Sequence, residues 1–173
     1  ACLIKSPLGI NALAYLVERG ISVETAQSLK LGFAPDDWAK LSIALQNRGV
    51  LPEILVKAGL SIPRTQEGVY DRFRNRIMFP IEDIRERVIG FGGRVMDGSQ
   101  PKYLNSPETP VFNKRTVLYN IPRAYRAIKE AGYAIVVEGY MDAIALASNG
   151  ILNVVASLGT SFTPEQSRLL LHY

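Results

Sequence analysis

The stretch YAIVVEGYMDAIALASNGILNVVA, residues 133–156, leaves few folds open. A short apolar run ends in Glu138. A helical segment closed by Gly150 follows, and then a second apolar run. Two buried strands separated by one helix must lie parallel, because the crossover is too long for a hairpin and returns the chain in the same direction. The pattern predicts strands over 133–137 and 151–156 with a helix over 141–149 between them. A further helix opens at Thr163, where Pro164 and Gln166 complete a capping-box pattern. The end of the chain therefore reads as βαβα, with the segment PRAYRAIKEAG as a helix just before it.

The preceding grammar differs. Residues 7 to about 60 read as short helices punctuated by Gly20, Gly32 and Gly49, with Ser22 as an N-cap. Ile10, Leu13, Ala14 and Val17 form one apolar stripe, and Trp38, Leu41 and Leu45 another; both are expected in the core. YDRFRNRIMFPI then alternates, with Phe73, Ile77, Phe79 and Ile81 on one face and Arg72, Arg74 and Arg76 on the other. Pro80 places this strand at a sheet edge or near its own end. VIGFGGRV is a second, antiparallel strand. Gly90, Gly92 and Arg94 share one of its faces, an open floor for something bulky. The segment PKYLNSPETP, pinned by three prolines, is expected to be a loop of restricted shape. The fold class is mixed α/β: a helical and antiparallel N-terminal subdomain over 1–131, then the first βαβα part of a parallel sheet over 132–173.

Charge is unevenly placed. Residues 70–123 carry ten basic and six acidic side chains, the whole of the net +4. A basic middle points to a polyanion partner, although a solvated face accounts for four charges equally simply. One cysteine and one histidine exclude both a disulfide framework and a zinc site of the Cys/His kind, and deny the chain a Ser/His/Asp triad of ordinary form. No apolar run approaches the roughly 20 residues of a membrane span, so a cytoplasmic protein without membrane contact is expected.

The carboxylates carry the sharpest clue. Ligands of parallel sheets gather at the rim beyond the strand ends. Glu138 stands there, and Asp142 lies four residues on, in the first helical turn. SLGTS, residues 157–161, leaves the neighbouring strand at the same rim and offers backbone N–H groups and hydroxyls. Two hard oxygen donors with room for water and phosphate suit a divalent cation. Asp142 has another explanation, since an acid at a helix start is stabilised by the dipole. Glu138 gains nothing from capping and risks burial directly after an apolar run. GFGGR is not a dinucleotide fingerprint, because no helix follows it.

These segments resemble a known family. DRFRNRIMFPI, VIGFGGRV, PKYLNSPETPVFNK and VVEGYMDAIAL, with the earlier YLVERGIS and LGFAP, are similar in order to the catalytic core of bacterial DnaG-type primases. The resemblance implies a toprim domain at the end and a DNA-directed RNA polymerase, a nucleotidyltransferase making short RNA primers on single-stranded DNA from ribonucleoside triphosphates with Mg2+ or Mn2+. It assigns Glu138 to acid/base or metal-organising chemistry at the 3′-hydroxyl and Asp142 to metal binding. It also assigns Arg94, Lys102, Tyr103, Asn105 and Lys114 to a basic, nucleotide-contacting groove that Arg72, Arg74 and Arg76 would extend. Tyr103 as a loop residue packed on prolines, and Lys102 and Lys114 as solvated surface, are the plainer alternatives. The family's second acidic motif, Asp-x-Asp, does not occur, nor do its zinc-binding and helicase-binding domains. The implied reading is a fragment that holds metal poorly, polymerises poorly or not at all, and associates through an uncovered sheet edge. Two rivals remain: a non-catalytic single-strand-binding module, and another toprim enzyme, a topoisomerase or nuclease.

Overall fold

A computed structural model describes residues 2–159 and 161–173. It opens with short helices: α1 (Cys2–Lys5), a 3-10 turn (Pro7–Gly9), α2 (Ile10–Glu18) and α3 (Val23–Ser28). Ser22 caps α3 as its sequence suggests, accepting from the Thr25 N–H at 3.1 Å. The predicted stripe on α2 is wrong by face. Ile10 is 63% exposed and Val17 lies largely in solvent, while Ala12 and Leu16 are buried. Both faces of this helix are apolar, so periodicity alone cannot choose. The α2 residues that join Ile77 and Phe79 in the main core are small Ala12 and its i+4 neighbour Leu16.

A second correction concerns three-residue strands. The segment taken as the end of a helix near Gly32 holds β1 (Gly32–Ala34). After α4 (Lys40–Gln46) and α5 (Pro52–Lys57), β2 (Ser61–Pro63) and β3 (Val69–Asp71) pair as a hairpin. Trp38 is 61% exposed and Leu41 is exposed too; α4 instead buries Ser42. The alternating arginine segment is not one strand. β3 ends at Asp71, the chain bends, Asn75 takes φ +48°, and β4 (Arg76–Glu82) starts afresh. The left-handed residue breaks the alternation, so the three arginines do not form one face of a single strand, although Arg72, Arg74 and Arg76 still line one cleft.

β4 lies inside a four-stranded sheet of order β1-β4-β5-β6, with β5 (Val88–Val95) and β6 (Tyr103–Asn105). β1 pairs with Arg76–Met78 only, so Pro80, near the strand's end, has no β1 partner to deprive of an N–H. The proline-pinned segment is therefore partly strand, its residues 103–105 registered on Gly92–Arg94. The glycine floor of β5 is occupied by the chain's own aromatics. A Cβ on Gly90 would meet the Phe112 ring at 3.0 Å, and one on Gly92 the Tyr140 ring at 2.4 Å.

The final part follows the sequence pattern closely. α6 (Ile121–Ala131) precedes β7 (Ile135–Val137), α7 (Tyr140–Ser148), β8 (Val154–Ala156) and α8 (Pro164–Leu171). β7 and β8 are parallel, and the capping box of Thr163 and Gln166 is formed. An antiparallel bridge from Tyr119 to Ala156 continues the pair. α6 packs through Ile121, Ala124 and Ile128 on Val155, with α8 residues Leu169 and Leu170 beside them. The main core runs through both parts, uniting Leu16, Ile77 and Phe79 with Tyr140, Ile144 and Val154. Among the described residues no helix is long and apolar enough to cross a membrane.

Candidate nucleic-acid interface and acidic rim

The rim beyond β7 carries Glu138 and Asp142, both exposed. The expected partial burial of Glu138 is not found: β7 lies at the outer side of its pair, and its end opens to solvent. Gly139 leaves room here for the Asp142 side chain, which could also swing aside. A Cβ at that position would stand 2.9 Å from Asp142 Oδ2, so its absence lets the carboxylate fold back over the strand end. Among the described residues no three His, Cys, Asp or Glu side chains gather. Two exposed carboxylates of this kind fit a hydrated hard cation that keeps most of its water and borrows oxygens from phosphate.

The neighbouring rim segment is less open than its sequence suggests. The Ser157 N–H is spent on the Val137 carbonyl at 3.0 Å, and Ser157 and Leu158 are buried. Thr160, also expected to contribute, lies outside the described residues.

Tyr140, at the start of α7, joins the rim to the sheet. Its ring stacks on Phe79 with centroids 5.1 Å apart and meets Tyr119 edge-on at 4.9 Å. Burial raises its phenol well above the ordinary value. The hydroxyl donates to Asn105 Oδ1 at 2.6 Å, and Asn105 Nδ2 donates to the Leu158 carbonyl at 2.6 Å. Asn105 is thus tied between β6 and the rim, with both side-chain atoms occupied.

On the same face of β6 lies a ladder of arginines and tyrosines. Arg94, 7% exposed, donates from Nη1 to the Tyr103 hydroxyl at 2.9 Å and lies 5.4 Å over that ring. It also lies 5.2 Å over Tyr15, whose ring carries Arg19 at 4.7 Å. The Nε of Arg94 is buried without a hydrogen-bond partner. Tyr103 therefore stands on a strand against Arg94 and Tyr140 and is not packed on the prolines. Burial raises its phenol, and the Arg94 charge opposes the rise.

The other arginines are anchored separately. Arg72 donates from Nη2 to the Asn105 carbonyl at 3.0 Å, and Arg76 from Nη1 to the Pro101 carbonyl at 2.9 Å. Burial lowers both guanidinium values. Arg74 donates to the Asp71 carbonyl and lies 4.1 Å over Trp38 and 5.3 Å over Tyr70. Together they line a cleft of about 490 Å3 that Trp38, Tyr70 and Gln100 complete. Lys102 precedes β6 in solvent. Lys114 is exposed in the turn before α6, where its carbonyl accepts from Gln166 Nε2 of α8, and its side chain forms no hydrogen bond among the described residues. Tyr15, Arg19 and Trp38 are the residues missed from sequence. A tryptophan straight after Pro35, Asp36 and Asp37 was the available signal, since that turn-forming composition favours exposure.

The class is a two-part α/β core, a toprim-like βαβ unit sewn to a basic antiparallel sheet. Residues 1–125 match the family model of the DNA primase catalytic core, N-terminal domain, and residues 132–173 that of the toprim domain. The chain belongs to the DNA primase catalytic-core family. The DNA primase of Clostridium acetobutylicum is 48% identical over 163 residues, covering 94% of this chain and 27% of that protein. That of Escherichia coli O6:H1 is 47% identical, covering 96% and 29%. The chain thus spans little more than a quarter of these relatives. The RNA polymerase domain of Mycobacterium tuberculosis primase DnaG, solved with double-stranded DNA, superposes with a TM-score of 0.92 at 37% identity over 98% of this chain and 54% of that one. A DnaG primase catalytic domain bound to single-stranded DNA gives 0.86 at 45% over 98% and 53%.

Proposed function

We propose that the chain forms the template-binding face and half of the catalytic rim of a DNA primase. That enzyme would make short RNA primers on single-stranded DNA by joining ribonucleoside triphosphates. The observation that carries the reading is the continuity of the two surfaces. β6 lies between the two: Leu104 lines the cleft from one face, and on the other face Tyr103 meets Arg94 while Asn105 is hydrogen-bonded to the rim that holds Glu138. A strand lying along β6 would lead its growing end towards the carboxylates. That related primase domains were solved with double- and single-stranded DNA supports a nucleic-acid partner.

The roles follow from the chemistry of each group. Arg72, Arg74, Arg76, Arg94 and Lys102 meet phosphates, a contribution that reads no sequence and weakens with salt. The buried, unpartnered Nε of Arg94 is the donor best placed to gain from a bound anion. Tyr103 and Trp38 offer faces on which bases stack. Asn105 holds geometry, and we keep Lys114 as a nucleotide contact only from the family resemblance. Glu138 orients or deprotonates the attacking 3′-hydroxyl, and Asp142 supplies a further oxygen donor. A bound Mg2+ or Mn2+ would lower the pKa of that hydroxyl and neutralise triphosphate charge. We place the division between subdomain and toprim unit at 131/132, the enzyme in the cytoplasm, and its contact with the replicative helicase in a domain other than this one.

The test is anisotropy of a labelled single-stranded oligonucleotide against salt, for the wild type and for Arg94→Glu/Lys102→Glu. Salt-sensitive binding that the double reversal abolishes is the expected result. Binding indifferent to the reversal would remove the template from this groove. A chain that binds the strand yet takes up no Mn2+ at its rim would instead favour a non-catalytic single-strand-binding module.

A further inference from the structure

Asp71, the last residue of β3, is buried and uses every polar group it has. Its carboxylate accepts from the Leu41 N–H at 2.7 Å and the Ser42 N–H at 2.8 Å, at the start of α4, and also from the Ser42 hydroxyl. Its own N–H donates to the Trp38 carbonyl at 2.8 Å, and its carbonyl accepts from the Arg74 guanidinium. Ser42 Oγ lies 3.0 Å from Ser61 Oγ and ties in β2. One residue therefore holds the backbone of Trp38, the side chain of Arg74 and the helix that follows Trp38.

The arrangement exceeds what helix stability needs. Ala39 at the N-cap of α4 makes no side-chain cap. A local Ser, Thr or Asp would supply one at no burial cost. Capping from β3 instead desolvates a carboxylate, which is expensive unless fully hydrogen-bonded. What the remote cap gains is registration. Trp38 and Arg74 belong to segments more than thirty residues apart, and their contact at 4.1 Å depends on both being fixed to Asp71.

We propose that Asp71 is a positioning residue for single-stranded nucleic acid: it sets Trp38 and Arg74 so that a base and its phosphate are met together. This rests on the reading of the cleft as a template surface. The side chain itself is buried and does not touch the ligand.

Trp38 is the only tryptophan in the chain, so its fluorescence reports on the stack without labelling. The experiment titrates a fluorescein-labelled oligo-dT into the wild type, Trp38→Ala, Asp71→Ala, Asp71→Asn and the double variant Trp38→Ala/Asp71→Ala. Anisotropy is followed at several salt concentrations, with Trp38 quenching and thermal melts alongside. Losing one stacked base weakens binding about tenfold, so Trp38→Ala and Asp71→Ala should each show that loss. The double variant should be no worse than Asp71→Ala, in which the stack is already lost. The salt slope should stay as in the wild type for Trp38→Ala, and flatten by about one for Asp71→Ala, where Arg74 loses its phosphate. Asp71→Asn, which keeps one acceptor oxygen, should fall between. A purely structural Asp71 would lower the melting temperature while leaving affinity and Trp38 quenching of the folded protein unchanged, and that result overturns the proposal. Should Asp71→Ala not fold, a folded Asp71→Asn with wild-type affinity and quenching overturns it equally. Wild-type binding by Trp38→Ala would remove the cleft platform and the proposal together; a weakened Trp38→Ala beside an unaffected Asp71→Ala removes the proposal alone.

Discussion

The basic cleft and the acidic rim are built on opposite plans. In the cleft Arg72 and Arg76 are already held by carbonyls and Arg74 by Asp71, and across the sheet Arg94 is held by a tyrosine hydroxyl. At the rim Glu138 and Asp142 stand in solvent. A surface that meets a flexible polyanion gains from having its side chains ordered beforehand, since less entropy is lost on contact. A pair of carboxylates that awaits a hydrated cation gains from being accessible. The contrast teaches that burial and pairing fall on the arginines of the sheet and leave the two rim carboxylates open.

Gly92→Ala should have the largest effect and break the contrast at its join. The new Cβ would lie 2.4 Å from the Tyr140 ring, which is itself clamped between Phe79 and Tyr119. Overpacking of this kind costs about 1–3 kcal/mol. A fall of several degrees in calorimetric melting temperature is expected, and an unchanged melt would show that Tyr140 yields easily.

One buried acid sharpens the contrast next. Glu82 is buried beneath Lys30 at 2.6 Å and Arg123 at 2.7 Å. Burial pushes its carboxyl up, but the hydrogen bonds and charges of the two cations together hold it below the ordinary range. Its folded value is depressed, so its contribution to stability is present above the unfolded value of about 4.3 and is lost as pH falls through the folded one. Melting temperature should therefore drop as pH falls below about 4.3, and less steeply in Glu82→Gln. Equal slopes would place the acid sensitivity elsewhere.

The smallest effect on stability is expected at the rim. Glu138→Gln should leave the melt within about 0.5 kcal/mol of wild type, as for exposed positions generally. Asp142→Asn should cost no more than about 0.3–1 kcal/mol through the helix dipole. Both should reduce Mn2+ uptake measured by electron paramagnetic resonance. Unaltered uptake would separate the carboxylates from metal binding.

What the sequence made legible follows from the length of each pattern. The βαβα end was readable because its strands were apolar runs bounded by an acid or glycine, and because its last helix carried a complete capping box. β1, β2 and β3 are three residues each, too short to show any period. The face of α2 was misread because a helix apolar all round offers two stripes, and only the position of the sheet chooses between them. The site was legible in its residue types and less so in their duties. Glu138 and Asp142 stand at the rim where the strand pattern puts them. Asn105 and Arg76 were assigned to a ligand groove, and the structure adds a second duty: each also ties distant parts of the chain together. No local pattern distinguishes the two uses, because the partners lie 53 residues away for Asn105 and 25 for Arg76.

Tyr140 has a consequence for how the molecule comes apart. Its ring fills the space above a β5 glycine while its backbone opens α7, so the seam between the two parts is an aromatic shared by both. Prying α7 from the sheet uncovers Phe79 and Tyr119 at the same moment, so neither part has a low-energy way of opening by itself. The two parts are thus joined by a shared core in which Tyr140 is the central aromatic.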